Sequence, residues 1–157
     1  MSIDDQVAEF HRVMGIPDRS TPGLVNESTL RLRMRLVLEE AFELAEACLD
    51  TSDATSMMLV LMHGRAILDL VSRAPLSPDL PGIADALGDI DYVVAGTRLQ
   101  LGIRAAPVAD AIHAANMAKA PGGVVSRDAY GKVLKPFDWS PPDIAGALRA
   151  QGWRDDP

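Results

Sequence analysis

The 157-residue chain has a single cysteine, few aromatic side chains and no long apolar run. Cys48 can form no disulfide within the chain, and one cysteine excludes a cysteine-based zinc cluster. The longest nearly apolar stretches, residues 57–62 and 93–95, fall far short of the ~20 residues that a membrane-spanning helix needs. The first residues contain no apolar signal segment, so we expect a cytoplasmic protein that does not engage a membrane.

Positive charge is also scarce. Fifteen Lys and Arg residues oppose 22 Asp and Glu residues, which gives a net charge of −7. This balance disfavours a protein that binds duplex nucleic acid, because such proteins carry a basic surface. An acidic chain can still bind an anionic substrate when metal ions intervene. Hydrophobic residues make up 48% of the chain, which is enough for a packed core and excludes general disorder.

Clusters of proline and glycine divide the chain into blocks whose apolar spacing is helical. We predict main helices at residues 3–14, 26–50, 54–74, 80–101 and 107–119, and a short helix near 141–150. Asn26 is expected to cap the second helix, and Pro107 suits the first turn of the fifth.

The remaining C-terminal segment, residues 120–157, is predicted to be a mostly irregular tail. Within it, residues 124–125 and 132–134 have the composition of a small hairpin. With no internal repeat and no charged linker, residues 1–157 are predicted to form one all-α domain, a bundle of four to five main helices.

The second helix carries an acidic stripe. At 100° per residue, Glu39, Glu43 and Glu46 continue a stripe that begins with Leu32 and Leu36. The opposite side of this helix is apolar, so we expect the helix to be buried on most sides. Ionised carboxylates in such surroundings repel one another and need to be neutralised. A solvated acidic face is the alternative interpretation.

The fourth helix carries a second acidic stripe, formed by Asp85, Asp89, Tyr92 and Gly96. Gly88 and Gly96 each cost this helix roughly 1 kcal/mol relative to alanine, which predicts the close approach of a neighbouring helix or ligand. If the two acidic helices pack antiparallel, four carboxylates can converge. Such a cluster suits Mg²⁺, with Mn²⁺ as the alternative, because hard cations prefer carboxylate oxygens.

The pattern Glu39-Glu40-x-x-Glu43, followed by a helix with Gly88-Asp89, resembles the all-α nucleoside triphosphate pyrophosphohydrolases. These include the MazG-like proteins, the dimeric dUTPases and phosphoribosyl-ATP pyrophosphohydrolase. The chain is most similar to the phosphoribosyl-ATP pyrophosphohydrolase-like subgroup, and the resemblance runs along most of residues 7–145. Its further motifs are Glu9-Phe10-His11, Gly15-Ile16-Pro17, Ala84-Asp85-Ala86-Leu87, Tyr92-Val93, His113-Ala114-Ala115-Asn116-Met117-Ala118-Lys119, Gly131-Lys132-Val133-Leu134-Lys135-Pro136 and Pro141-Pro142-Asp143.

The chain departs from the family pattern in two places. Ala86 stands where the MazG-type pattern has a glutamate, and Asp85 offers a carboxylate one position earlier, on the same helix face as Asp89. In addition, residues 51–81 are longer than the corresponding family segment. We expect this apolar surplus to form an extra packing or dimer helix.

The resemblance implies that the chain cleaves a nucleoside triphosphate, such as dUTP, into the monophosphate and pyrophosphate. It implies Mg²⁺ ligands at Glu40, Glu43, Asp85 and Asp89, with Glu39 as the catalytic residue that orients water or holds a second metal. It also implies a homodimer or a dimer of dimers. The implied substrate-binding residues are Tyr92, Asn116, Lys119, Lys132 and Lys135. A non-catalytic nucleotide sensor or assembly module of the same fold is the alternative function.

Overall fold

The computed structural model describes residues 1–50, 52–128 and 133–154, and these residues contain six α-helices and no strand. The all-α prediction is confirmed, and each predicted helix is present with ends that differ by at most three residues. A short 3₁₀ helix, Pro121–Gly123, follows the fifth α-helix. The α-helices are α1 (Ile3–Met14), α2 (Glu27–Cys48), α3 (Ala54–Arg73), α4 (Leu80–Gln100), α5 (Ala105–Met117) and α6 (Ile144–Arg149).

Side-chain caps fix the starts of several helices. As predicted, Asn26 caps α2, because its side chain accepts a hydrogen bond from the backbone N–H of Thr29 at 2.8 Å. Ser2 and Asp5 form a reciprocal capping box at the start of α1. Pro107 lies in the first turn of α5, where a missing N–H costs nothing.

The predicted hairpin in the tail is reduced to a single antiparallel bridge between Arg127 and Val133. The backbone N–H of Leu134 donates to the carbonyl of Ser126 at 2.8 Å. The chain therefore pairs two residues later than residues 124–125, where we placed the first strand. Lys132, which the prediction included in the second strand, lies outside the described residues.

The contacts divide the chain into two compact units. The terminal unit comprises Met1–Thr21 and Ala86–Pro157, and the hairpin unit comprises Pro22–Asp85. In the terminal unit, α1 and α6 each pack against α5, and the buried apolar side chains belong to Met14, Ala115 and Ala120. In the hairpin unit, α2 packs against α3. The boundary between the units falls within α4.

The contacts between α2 and α3 include a close packing contact and side-chain hydrogen bonds. Gly64 is buried in α3, and a Cβ built on it would lie 3.2 Å from Phe42 Cγ, so the glycine lets the phenyl ring approach closely. Arg31 donates to the carbonyl of Val71 at 2.6 Å and to that of Ala74 at 2.8 Å. These carbonyls lie at the negative end of the α3 dipole, which a guanidinium stabilises.

The expectation that α2 is buried on most sides is wrong. None of its residues is buried, and Val37 and Leu44 are 39% and 54% exposed on the side that we expected to be covered. Within the hairpin unit α2 packs against one helix, α3, and one neighbour covers one face of a cylinder. The apolar side opposite the acidic stripe is therefore left open.

Helix α3 is 20 residues long and, among the described residues, is the one helix whose length and composition would allow it to cross a membrane. A single helix of this kind is weak evidence for a membrane segment, because packing helices of soluble proteins meet the same criterion. Its apolar face agrees with our expectation of an extra packing helix in residues 51–81.

Gly88 and Gly96 of α4 make no close approach to another helix among the described residues, and the close approach of a ligand there stays a prediction. A Cβ added at Gly88 or Gly96 would meet no other described atom within 4 Å. Within the chain, the close helix contact that a glycine permits occurs instead at Gly64, which the sequence analysis did not single out.

Candidate active site

An open groove of about 620 Å³ lies between α2 and α3, and we call it the acidic groove. Helix α2 contributes Glu39, Glu43 and Glu46, which follow one another at four and three residues. This spacing places their side chains on one face of the helix, as the predicted stripe requires. Glu40 is rotated by about 100° from Glu39 and does not line the groove.

Two arginines also line the acidic groove, Arg35 from α2 and Arg65 from α3. Arg35 Nη2 lies 3.4 Å from Glu39 Oε1, and Arg35 Nη1 donates to Ser72 Oγ at the same distance. The groove stays acidic, because Asp69 joins the three glutamates. Arg35 was not among the predicted site residues, although its position four residues before Glu39 places it on the same stripe.

The two predicted acids of α4 are both solvent-exposed. Asp85 and Asp89 are one turn apart, so they share a face of their helix. Tyr92, three residues further on, is 82% exposed. In the part of the chain that the structure describes, no group of three or more His, Cys, Asp or Glu side chains is positioned to hold a metal ion. The convergence of four acids therefore stays a prediction.

The terminal unit gathers three of the predicted substrate-binding residues around one aromatic ring, and we call Asn116, Lys119, Lys135 and Trp139 the tryptophan cluster. Lys135 Nζ lies 4.2 Å from the centroid of the Trp139 ring, and Lys119 Nζ lies 5.8 Å from it. Both distances are within the range of cation–π attraction. Lys119 Nζ also donates to Asn116 Oδ1 at 2.7 Å. The cluster is a concentration of positive charge in an acidic protein.

Trp139 is fixed in the cluster by its own polar edge. Its indole N–H donates to the carbonyl of Ala115 at 2.7 Å, and its backbone N–H donates to the carbonyl of Pro136 at 3.1 Å. Ala115 lies in the last turn of α5, where carbonyls lack partners within the helix. The indole of Trp139, which belongs to the irregular tail, thus caps the C-terminal end of α5. Lys132, the other predicted lysine of the tail, lies outside the described residues.

Polar pairs join α1 to α5 in the same unit. The buried Gln6 donates from Nε2 to Asp110 Oδ1, and His113 Nε2 lies 3.3 Å from Glu9 Oε2. His113 therefore contributes to the contact between α1 and α5.

Comparison with known proteins identifies the family of the chain. Residues 7–116 match the family described as phosphoribosyl-ATP pyrophosphohydrolase. The chain is also similar to a crystal structure described as that of a candidate NTP pyrophosphohydrolase from Exiguobacterium sp. 255-15. The two share 25% sequence identity with a TM-score of 0.70, over 97% of this chain and 94% of the other. No curated protein matches the chain significantly by sequence.

The family match spans both acidic helices and reaches Asn116, and the structural likeness extends over the tail. Together they indicate a hydrolase that acts on nucleotides, with activity of the NTP pyrophosphohydrolase type. With most of its length matched, this all-α chain belongs to the phosphoribosyl-ATP pyrophosphohydrolase family.

Proposed function

We propose that the chain is a cytoplasmic, Mg²⁺-dependent enzyme that hydrolyses a nucleoside triphosphate between its α- and β-phosphates. The observation that carries this proposal is the acidic groove, in which three glutamates of one helix face a common space. A solvated acidic face would not need to line a groove. The products are the nucleoside monophosphate and pyrophosphate, and a deoxynucleotide such as dUTP is a candidate substrate.

The donor set of the groove fits Mg²⁺ by its chemistry. Mg²⁺ is commonly held by one or two carboxylates together with water and substrate phosphates, so a ready-made group of three protein ligands is not required. From the family resemblance we propose Glu40 and Glu43 of α2 and Asp85 and Asp89 of α4 as the residues that would hold it, and of these Glu43 lines the acidic groove. When bound, the ion would neutralise charge and lower the pKa of an attacking water.

Glu39 is the residue that we propose to orient the water. Hydrolysis forms a bond from the water oxygen to phosphorus, breaks the bridging P–O bond and releases pyrophosphate, while the water proton passes to Glu39. The Arg35 guanidinium, 3.4 Å from Glu39 Oε1, supports this role because an ion pair favours orientations of the carboxylate that face Arg35. Arg35 is thus a positioning residue for Glu39.

The tryptophan cluster is the part of the chain that we assign to the phosphates. Lys119 and Lys135 supply positive charge, and Asn116 holds the Lys119 ammonium by a hydrogen bond. Lys132 is proposed to take part as well. Tyr92, with its ring exposed on α4, is proposed to contact the sugar or the base.

A pyrophosphate-release assay tests the proposed reaction. The full chain is incubated with each common nucleoside and deoxynucleoside triphosphate and with modified nucleotides, in Mg²⁺ and in excess chelator. We expect release from at least one nucleotide, and only in the presence of Mg²⁺. The alternative is a non-catalytic nucleotide sensor, which is favoured by Ala86 at the position where the MazG-type pattern has a glutamate. A sensor would raise its melting temperature with a nucleotide and release no pyrophosphate.

We also propose that two copies of the chain associate. On the face of α3 opposite Gly64, Met58 and Met62 are 55% and 60% exposed and Leu70 is 59% exposed. An apolar stripe of this length is unusual on the surface of a monomer. Light scattering at micromolar concentration should give the mass of a dimer or a dimer of dimers. Met62→Glu, which places a charge in the stripe, should shift the chain toward the monomer, and a monomeric wild type would contradict the proposal.

A further inference from the structure

The tryptophan cluster contains one residue to which the family resemblance assigns no role. Two lysine ammonium groups lie over the ring of Trp139, at 4.2 Å and 5.8 Å from its centroid. The lysines come from different parts of the terminal unit, since Lys119 follows the end of α5 and Lys135 belongs to the tail. The Trp139 ring is therefore a contact that these two cations share.

The ring itself has little freedom to move. The indole N–H is bonded to the Ala115 carbonyl, and the backbone N–H of Trp139 closes a turn onto Pro136. A fixed aromatic face attracts ammonium groups without neutralising them, because the quadrupole of the ring carries no net charge.

We propose that Trp139 is a positioning residue that holds Lys119 and Lys135 for a polyphosphate anion. This inference rests on the proposed function, because it identifies how the same enzyme would bind the phosphates of its substrate. Two lysines held against one ring lose less conformational entropy on binding an anion than two freely rotating lysine side chains would. This smaller loss strengthens anion binding.

Binding of inorganic pyrophosphate to the full chain, measured by calorimetry, tests the inference without any need for turnover. Trp139→Leu removes the aromatic face and should weaken pyrophosphate binding by about tenfold. Trp139→Phe lacks the indole hydrogen bond but keeps an aromatic face, so it should recover part of the lost affinity. Lys135→Gln should weaken binding at least as much as Trp139→Leu. Arg12→Gln removes an equal charge from an exposed position of α1 and should leave the affinity unchanged.

A second measurement leaves the cluster intact in case Trp139→Leu does not fold. The chain has two tryptophans, so Trp153→Phe makes Trp139 the sole indole reporter. Pyrophosphate should then change the Trp139 fluorescence in a saturable way, because the ammonium groups near the ring reorient toward the anion. Unchanged fluorescence, or equal losses of affinity in Trp139→Leu and Trp139→Phe, would overturn the inference.

The steady-state kinetics separate this inference from the proposed function. For a nucleotide that wild type hydrolyses, Trp139→Leu should raise KM and leave kcat nearly unchanged. If nucleotides are hydrolysed and Trp139→Leu changes neither KM nor pyrophosphate affinity, the positioning role of Trp139 is wrong. The proposed pyrophosphohydrolase activity is then unaffected. If pyrophosphate binds through Trp139 but no nucleotide is hydrolysed, the proposed reaction is wrong and the role of Trp139 in anion binding stands.

Discussion

The acidic groove and the tryptophan cluster carry opposite charges and are built in different ways. The groove lies between two regular helices, and the spacing of α2 alone aligns Glu39, Glu43 and Glu46. The cluster combines the end of one helix with an irregular tail, and a hydrogen bond from Trp139 to Ala115 joins them. One region therefore depends on helix periodicity, and the other depends on a tertiary contact.

The two regions also differ in the groups that lie beside their charged side chains. In the groove, Arg35 lies beside Glu39, so part of the negative charge is offset by an ion pair. In the cluster, both lysine ammonium groups lie over the uncharged ring of Trp139. We infer that the groove binds a cation, which would compete with Arg35 for Glu39, and that the cluster binds an anion.

The largest effect should come from a change in the groove. Glu43→Gln keeps the size of the side chain but removes one negative charge from the middle of the stripe, so nucleotide hydrolysis should fall by orders of magnitude through kcat. Lys135→Gln in the cluster should act mainly on KM. Pyrophosphate release over a range of nucleotide concentrations separates the two effects.

Asp91→Asn is the matched control for Glu43→Gln. Asp91 is exposed on α4 and lies about 200° around that helix from Asp89, so its charge is directed away from the acidic stripe. Its replacement should leave hydrolysis nearly intact. Equal losses in Asp91→Asn and Glu43→Gln would show that general loss of negative charge, rather than a specific ligand, slows the reaction.

Mg²⁺ should stabilise the folded chain through the acidic residues and not through the tryptophan cluster. A ligand that binds only the folded state contributes about 2.7 kcal/mol when its concentration is 100 times Kd. Melting curves with and without Mg²⁺ should therefore separate for wild type and for Lys135→Gln. The separation should shrink in Glu43→Gln, and its persistence there would remove Glu43 from the set of metal ligands.

The packing of the hairpin unit can be tested with a pair of identical substitutions. Gly64→Leu forces a side chain into the Phe42 ring and should destabilise the fold by about 1–3 kcal/mol. Gly88→Leu is the matched control, because its Cβ meets open space and replacing a helical glycine gains roughly 0.5–1 kcal/mol. Urea denaturation followed by helix circular dichroism measures both. A large loss of stability in Gly88→Leu would indicate that another copy of the chain covers α4.

The spacing of the acids within each helix was predictable from the sequence, because helix geometry relates residues that are close together in the chain. The positions of Glu39, Glu43 and Glu46 relative to one another follow from 100° per residue, as do those of Asp85 and Asp89. The cap at Asn26 was predictable for the same reason, since its partner is three residues away.

The tryptophan cluster was not predictable in this way. Trp139 reaches Ala115 across 24 residues of chain, most of them without regular structure, and no periodicity relates the two. The family resemblance named Asn116, Lys119 and Lys135 but gave no reason for them to meet. We mispredicted the burial of α2. An apolar helix face predicts that another protein surface packs against it, but it does not indicate whether that surface belongs to the same chain.

The smallest effect that we predict compares exposed aspartates that cap one helix in each unit. Hydrogen bonds from the Ser56 hydroxyl and from the backbone N–H groups of Ser56 and Thr55 lower the pKa of Asp53, at the start of α3. Hydrogen bonds from Ser2 lower the pKa of Asp5 in the first turn of α1. In both cases the folded state favours the charged carboxylate, so each group contributes stability above its ordinary value of 3.8. That contribution is lost as the pH falls below 3.8 and through the lowered pKa of the folded state.

Asp53→Asn and Asp5→Asn should therefore each lower the free energy of unfolding slightly at neutral pH, because the amide still accepts a hydrogen bond but carries no charge. The gap from wild type should close as the pH falls through this window, since wild type then loses the same charge. Urea denaturation at a series of pH values measures the gap for each variant. A gap that stays constant well below pH 3.8 would mean that the amide fails as a cap for steric reasons and that charge has no part in it. Asp53 accepts hydrogen bonds from two residues, Thr55 and Ser56, whereas Asp5 accepts them from Ser2 alone. We therefore expect the Asp53 gap to exceed the Asp5 gap.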